Sequence, residues 1–518
     1  SCMRALLGID KGTTTTKAVV FDADSGRVLG LARRATPSFR PHPDWHEEDA
    51  ALTWSGVALA IRAALGESGL PAKDIGAVGV SGHMGGLWAL DHAGQPLERA
   101  IAWPDGRAAE MLQQWQASGV VEAVYDVSGN ALIPGMPVVL LAWLQLHRPD
   151  ILDRIAWVFC AKDYVNYRLT GEIATDESDL SFFPCDSRER RVSEGIFDSC
   201  GLSGLSRLIP RVLPTGALLG RVTAEAAAET GLLMGTPVAS GAGDAVAAAI
   251  GAGVLLPGQA VTVIGTSFMN NLTVDRPVME PKGVGFLFLM PNGRWQRLMS
   301  NTGGGSVCLD WVIEAFTRKE AERGDRASLF TRIETEARAL PPLPGGLMFH
   351  PYLNTSGMTA PCHEPSARGS IIGLGLDTTP MALVRSIMEG VALSMVDCYG
   401  AIGAPVDEIR ITGGGARSRL WRDMCAAAMD RTLVVPEAEE TGALGVAMLA
   451  GHAAGLFPSL EAGAAEMVRI VERVEPDPAL VAAYAAALPL FRDLREALVP
   501  AWHTRAALLE ACARRKLA

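Results

Sequence analysis

The stretch Gly8–Asp22, GIDKGTTTTKAVVFD, sets Gly12 and the hydroxyl residues Thr13 and Thr14 between two apolar runs. Half a chain later Ala260–Val274, AVTVIGTSFMNNLTV, repeats the arrangement with Gly265, Thr266 and Ser267. A residue without a Cβ lets a strand turn tightly and bring backbone N–H groups against an anion, and neighbouring hydroxyls add donors. Two such turns facing each other are a way to hold the phosphates of a nucleotide. Taken singly, each reads as an ordinary Gly/Thr hairpin, because such turns are among the commonest loop compositions. The pairing carries the reading.

The elements that must position these turns are legible around them. Leu6, Leu7, Ile9, Val19, Val20 and Phe21 are the apolar, partly β-branched flanks of buried strands. The first half alternates strands at Ile75–Ser81 and Ala156–Cys160 with helices near Ala50–Leu65 and Ala108–Gln116, an α/β pattern. A break falls near Gly251–Gly258, after which the second hairpin restarts the same order of elements. A long helix follows, with Thr379 as its N-cap, Pro380 as its first residue, and Leu383, Ile387 and Val391 along one face. Strand Glu408–Thr412 then leads into Gly413–Gly415, and the residues after Gly451 read as a helical tail with Tyr484, Leu488 and Phe491 at core spacing. Two α/β halves, each opening on a phosphate-type hairpin, predict a bilobed molecule with its site in the cleft.

Composition narrows the function. The 518 residues suffice for two large domains, and 49% hydrophobic with 20% charged is ordinary for a soluble enzyme. A net charge of -11 offers no general basic field for nucleic acid or an anionic membrane. Nine cysteines without a C-x-x-C pair suggest neither a disulfide framework nor a zinc site, which fits a reducing cytoplasm. The apolar run after Asp244 stops at Pro257, short of a membrane span, and Met3 runs almost directly into a strand, so no anchor or signal peptide is expected. Ser1 and Cys2 ahead of Met3 are either native or appended. A P-loop is excluded because no Gly-Lys dipeptide occurs. The dinucleotide fingerprint fails too, since its third small position would fall on Val246 after Gly241-Ala-Gly243, or on Ser418 after Gly413-Gly-Gly415.

From Leu6 to about Trp502 the chain resembles the FGGY family of carbohydrate kinases, within the actin, hexokinase and heat-shock-chaperone ATPase superfamily. GIDKGTTTTKAVVFD is similar to the family's first phosphate motif, GVSGHMGGLWALD and IAWPDGR to its substrate segments, and DYVNYRLTGEIATDESDLS to its mid-domain signature. ASGAGDAVAAAIGAG resembles the catalytic-Asp segment, VIGTSFM the second phosphate motif, GSIIGLGLDTTPMALVRSIMEGVAL the C-terminal signature, and ITGGGARSRLWRDM with TGALGVAMLAG the adenosine and closing segments. The ordered set is far more specific than any one motif. It implies two ribonuclease H-like (actin-like ATPase) domains, 3–252 for phosphate and sugar and 253–502 for nucleotide, with a catalytic cleft between them.

The resemblance assigns Asp244 as the general base that takes the proton of a sugar hydroxyl as that oxygen attacks the γ-phosphate of ATP. A helix beginning there would favour the ionised carboxylate through its N-terminal dipole, and Asp244 could equally cap that helix. Asp10 resembles the family's Mg²⁺-associated carboxylate, acting directly or through water. Lys17 matches a basic position, either a charge near the phosphates or a solvated cation. Gly303, Gly304, Gly413, Gly414 and Gly415 would approach the nucleotide closely, with Arg417 near the base or ribose and Ser418 capping the next helix. Thr441, Gly442, Ala443 and Gly445 fit a closely packed adjacent segment or helix packing through small residues.

The sugar would be held by His83, Met84, Gly85, Trp103, Asp105 and Arg107, with Asp105 and Arg107 alternatively a salt-linked pair positioning their loop. Departures from the family limit the substrate. His83-Met84-Gly85-Gly86 stands where xylulose kinases tend to read Gln-Met-His-Gly, so an imidazole is missing at Gly85. Pro104 and Gly106 replace polar residues, PYLNTSGMTAPCHEPSARGS lacks the usual Gly-Glu-Arg segment, and Leu140 replaces a Lys. The expected activity is transfer from MgATP to a terminal hydroxyl of a small sugar, first a ketopentose of the xylulose kind. An erythritol- or glycerol-type polyol and a keto-sugar acid are the alternatives. A non-catalytic sugar-responsive binding protein is the competing class, opposed by the presence of both Asp10 and Asp244. The resemblance further implies a cytoplasmic enzyme, often a homodimer.

Overall fold

The computed structural model describes residues 4–316 and 326–517. Ser1, Cys2 and Met3, where the first expected domain begins, lie outside the described residues. The chain divides into two compact units, both discontinuous: Ser1–Pro257 with Thr273–Gln296 and Glu437–Arg469, and Gly258–Leu272 with Arg297–Pro436 and Ile470–Ala518.

The first unit is built on a mixed sheet whose strands run in the order Leu218–Arg221, Pro237–Ala239, Ile75–Gly82, Ala5–Lys11, Thr15–Asp22, Val28–Ala35. Ala5–Lys11 pairs antiparallel with Thr15–Asp22, putting Asp10 opposite Lys17, and parallel with Ile75–Gly82, putting Asp10 opposite Ser81. Leu6, Leu7, Ile9, Val19, Val20 and Phe21 are buried, as their apolar character requires. Helix Ala50–Ser68 covers this sheet and is capped by the Asp49 carboxylate, which accepts the Leu52 N–H at 2.9 Å.

Helix Thr441–Ala453 lies in this first unit, which corrects its expected place beside the adenosine segment of the second half. Its small residues serve close packing. A Cβ on Gly445 would stand 2.0 Å from the carbonyl oxygen of Ala247, and one on Gly251 would stand 1.8 Å from that of Thr441. The helix therefore approaches helix Asp244–Gly251 at backbone contact.

The second unit repeats the order of elements. Gln259–Ile264 pairs antiparallel with Ser267–Val274 and parallel with Glu408–Thr412. Leu433–Pro436 extends the sheet in parallel, and Ile470–Val474 closes it antiparallel. Helix Pro380–Ile402 starts as expected, with the Thr379 hydroxyl accepting the Ala382 N–H at 3.2 Å. It is buried on every side from Met381 to Met395 rather than along the single Leu383–Ile387–Val391 face, so its sequence is apolar all round. The expected helical tail is interrupted: strand Ile470–Val474 precedes the final helix Pro478–Leu517, in which Tyr484 and Phe491 are buried and Leu488 is half-buried.

Candidate active site

In the first unit the hairpin turn is as tight as its sequence predicts. Gly12 donates its N–H to the Thr15 carbonyl at 3.1 Å, and a Cβ on Gly12 would lie 2.5 Å from that same oxygen. Thr13 Oγ1 accepts the indole N–H of Trp103 at 3.0 Å, which brings a sugar-segment residue onto the phosphate hairpin while the indole stays 40% exposed. Thr14 is exposed at the tip.

Asp10 ends the first strand. Burial pushes its carboxyl up to about 6, with Glu440 adding to the rise and Lys17 and Lys11 opposing it. Lys17 is ion-paired rather than simply solvated: its ammonium pairs with Glu440 at 3.0 Å, and Arg33 holds the other Glu440 oxygen at 2.7 Å. Asp10 therefore lies beside a cation whose charge is already answered.

Asp244 is the first residue of helix Asp244–Gly251, and Gly243 occupies the N-cap position. The capping reading is corrected accordingly; Asp244 Oδ1 accepts the adjacent Ala245 N–H, at 2.8 Å. The carboxylate is open to solvent yet crowded by protein atoms. That crowding pushes its pKa up to about 7, the Asp10 charge adds to the rise, and the amides of Ala245, Asp244 and Met84 oppose it. The expected depression by the helix terminus is thus overturned, because desolvation outweighs the dipole. A carboxyl with a pKa near 7 is well matched to take a proton at neutral pH.

Residues 83–84 and Trp103 lie against the first hairpin and the start of helix Asp244–Gly251. The Met84 side chain packs where a Cβ on Gly243 would stand, 2.5 Å from Met84 Cγ. Gly85 has a left-handed backbone, φ 80°, and its Cβ direction is filled 2.8 Å away by the Phe182 ring, so this backbone has no room for the imidazole that xylulose kinases carry. His83 is buried, with Nε2 3.3 Å from Glu48 Oε2. Asp105 and Arg107 form the salt-linked pair: Arg107 donates to both Asp105 oxygens at 2.9 Å and to Glu47 at 2.8 Å. Asp105 also accepts the His46 N–H at 2.7 Å, and the guanidinium lies 3.9 Å over the Trp45 ring. Both side chains are buried in this network, which fixes the loop that carries Trp103.

Two buried groups escaped the sequence reading. Lys11 and Glu48 pair at 2.8 Å, both fully buried. Below Gly243, the Lys162 ammonium sits among Asp163, Asp176 at 3.0 Å and Asp179 at 3.1 Å. Cys160, Asp163 and Asp179 lie close enough together to group around a cation, and Lys162 already supplies one there. The only signal for either was a charged residue inside an otherwise apolar run or signature.

In the second unit the turns of three segments converge. Gly303 donates to the Thr266 carbonyl at 3.1 Å, Ser306 to that of Gly265 at 2.8 Å, and Gly265 to that of Ser267 at 3.2 Å. Gly413, at φ 90°, would set a Cβ 2.7 Å from the Ile264 oxygen, so it passes directly beneath the same hairpin. Gly304 follows Gly303 in the second of these turns, and Gly414, Gly415 and Arg417 form the short helical turn after Gly413. Ser418 caps helix Arg419–Met429 by accepting the Trp421 N–H at 3.1 Å, as expected.

A repeated strand–turn–strand on mixed sheets, with two carboxylates of raised pKa beside one of the turns, defines a phosphotransferase of the actin-like ATPase fold. The chain belongs to the FGGY family of carbohydrate kinases: the family's N-terminal domain matches residues 5–251 and its C-terminal domain residues 260–454. It is 31% identical over 511 residues to the erythritol kinase of Brucella abortus, covering 96% of this chain and 97% of that protein. It is 31% identical over 501 residues to the xylulose kinase of Escherichia coli, covering 95% and 99%. The crystal structure of xylulose kinase from Rhodospirillum rubrum superposes with a TM-score of 0.86 at 27% identity, covering 96% of this chain and 100% of that one.

Proposed function

We propose that this carbohydrate kinase transfers the γ-phosphate of ATP to a terminal hydroxyl of a small neutral sugar, a ketopentose of the xylulose kind, with Asp244 as general base. The observation that carries this is a solvent-reachable carboxyl with a pKa near 7 at a helix start, bordered by Met84 and by the Trp103 loop. Asp244 takes the hydroxyl proton as the oxygen attacks. The new P–O bond forms while the bond from the γ-phosphorus to the β,γ-bridging oxygen breaks, and that oxygen leaves with its electron pair as part of ADP. Trp103 offers an aromatic face to sugar C–H edges, and Arg107 and Asp105 hold its loop rather than reaching for the sugar.

Asp10 and Asp244 make an oxygen-only, under-compensated acidic pair, the donor chemistry a Mg²⁺ ion takes. When bound, the ion would neutralise phosphate charge, with Asp10 as its protein ligand directly or through water. The turns at Gly12–Thr14, Gly265–Ser267 and Gly303–Gly304 supply amides and hydroxyls for phosphates, and Gly413–Gly415 with Arg417 supply the adenosine side. The sugar role is assigned to residues 3–252 and the nucleotide role to residues 253–502, apart from helix Thr441–Ala453, which packs in the first unit.

A polyol is the second reading, favoured by the full-length likeness to an erythritol kinase. Coupled ADP release, with mass detection of the phosphorylated product, is the test across ketopentoses, tetritols, glycerol and sugar acids. Turnover on one compound, lost in Asp244→Asn, is expected. ADP release that survives Asp244→Asn undiminished would remove Asp244 from the role of base.

A further inference from the structure

Between Asp10 and Asp244 runs a buried chain of three polar side chains that the reaction as described does not use. Lys11 follows Asp10 on its strand, and its ammonium donates to Glu48 Oε1 at 2.8 Å and to the Gly12 carbonyl at 2.9 Å. The second Glu48 oxygen faces His83 Nε2 at 3.3 Å. Burial alone would raise the Glu48 carboxyl, but His83 and Lys11 together hold it below its ordinary value, so it is ionised and can only accept. Burial, aided by the Lys11 charge, keeps the imidazole neutral. The one ring hydrogen must then sit on Nε2, leaving Nδ1 as a lone-pair nitrogen; it is buried without a hydrogen-bond partner among the described residues.

The backbone ties this chain to both carboxylates. His83 donates its N–H to the Lys11 carbonyl at 3.2 Å, next to Asp10. The following amide, that of Met84, faces the Asp244 carboxylate and favours its ionised form, and the Met84 side chain packs over Gly243. Residues 83 and 84 thus strap the end of the first strand to the start of the catalytic helix. A buried ion pair adds little stability over an apolar core of the same volume, so stability alone gives weak reason to keep one here.

We propose that Lys11–Glu48–His83 is a positioning device for phosphoryl transfer: it locks His83 as its Nε2–H tautomer and thereby holds residues 83–84 against the start of the Asp244 helix. The inference rests on Asp244 being the base. His83 acts through Met84, as a positioning residue.

The test uses the full chain with ¹⁵N-labelled histidine, the His83 signals being identified by their loss in His83→Gln. A protonated Nε2 and an unprotonated Nδ1 in the parent are expected, with mixed tautomers in Glu48→Gln. Kinetically, His83→Leu is expected to lower kcat by about 30-fold, within the range that base positioning commands, with the KM for ATP unchanged. His83→Gln, whose amide can donate to Glu48, is expected to recover most of that loss. A hydrogen on Nδ1 overturns the proposal. So does full kcat in His83→Leu, or a change confined to the sugar KM, which would make His83 a plain sugar ligand. Should His83→Leu fail to fold, kcat in Glu48→Gln decides: a fall of about tenfold supports the device and parent-like kcat overturns it. A parent that phosphorylates nothing would strike the proposed base instead, while the labelled-histidine spectrum still decides the tautomer.

Discussion

Proton availability at the two carboxylates gives the sharpest quantitative expectation. Asp244, pushed up to about 7, and Asp10, pushed up to about 6, both have folded values above the ordinary 3.8, so the active ionised forms are lost as pH falls through those values. At pH 8 about nine-tenths of Asp244 is ionised; at pH 6 about one-tenth is, and at pH 5 about one-hundredth. Asp10 adds a further factor of about ten by pH 5, so log kcat/KM should fall with unit slope from pH 7 to 6 and steepen toward two below it. The assay is initial-rate ADP release with nucleotide and sugar below saturation, so that the profile reports the free enzyme, with circular dichroism verifying the fold at each pH. Asp10→Asn should remove the steeper segment and shift the remaining limb to lower pH, because one of the two causes raising Asp244 is gone. The limb should stay above the ordinary carboxylate range, since burial is the larger cause. A flat profile from pH 8 to 5 in folded protein would refute the assignment of Asp244 as a base of raised pKa.

Gly12→Ala drives a Cβ to 2.5 Å from the Thr15 oxygen, so the turn must open; the KM for ATP in steady-state kinetics should rise about tenfold or more. Arg107→Ala leaves Asp105 and Glu47 facing each other without their shared cation, and denaturant unfolding should show a loss of about 3 kcal/mol that Arg107→Lys does not restore, because the fork and the stack on Trp45 are both lost. Gly445→Ala meets the Ala247 carbonyl at 2.0 Å and should cost about 1–3 kcal/mol by the same measurement, with Asp244 turnover falling because its helix is displaced.

How far the sequence alone reaches depends on whether a feature is local. Both hairpins, the Thr379 and Ser418 caps and strand Glu408–Thr412 rest on neighbours within a few residues, and each stands where pattern and turn chemistry put it. The clustering of Gly265, Gly303 and Gly413 was legible only through the order of motifs, since nothing local links positions so far apart. What stayed hidden is tertiary. Glu48 sits in a plain polar run, HEED, and only the fold carries it to Lys11 and His83. The Thr441 helix lies in the second half of the sequence, yet its glycines fit the backbone of helix Asp244–Gly251, a partner that composition cannot name. The sign of the Asp244 shift was misread for the same reason: a helix start is visible in sequence, and the crowding around it is not.

The charges around the first hairpin follow one rule. Lys11 is answered by Glu48, Lys17 and Arg33 by Glu440, Arg107 by Asp105 and Glu47, and Lys162 by three aspartates. Every one of these cations is compensated by the protein itself. Asp10 and Asp244 differ: burial raises both, and neither has an ion-pair partner at salt-bridge distance among the described residues. Leaving two carboxylates under-compensated among crowding protein atoms is unfavourable for the isolated protein, as their raised pKa values register. The arrangement gains its favourable partner when positive charge arrives with the substrate, and the magnesium of a nucleotide complex is charge of that kind. With Asp244 as the proposed base, the same deficit would favour a nucleotide carrying its cation, so that base strength and nucleotide recognition would be set by one electrostatic imbalance.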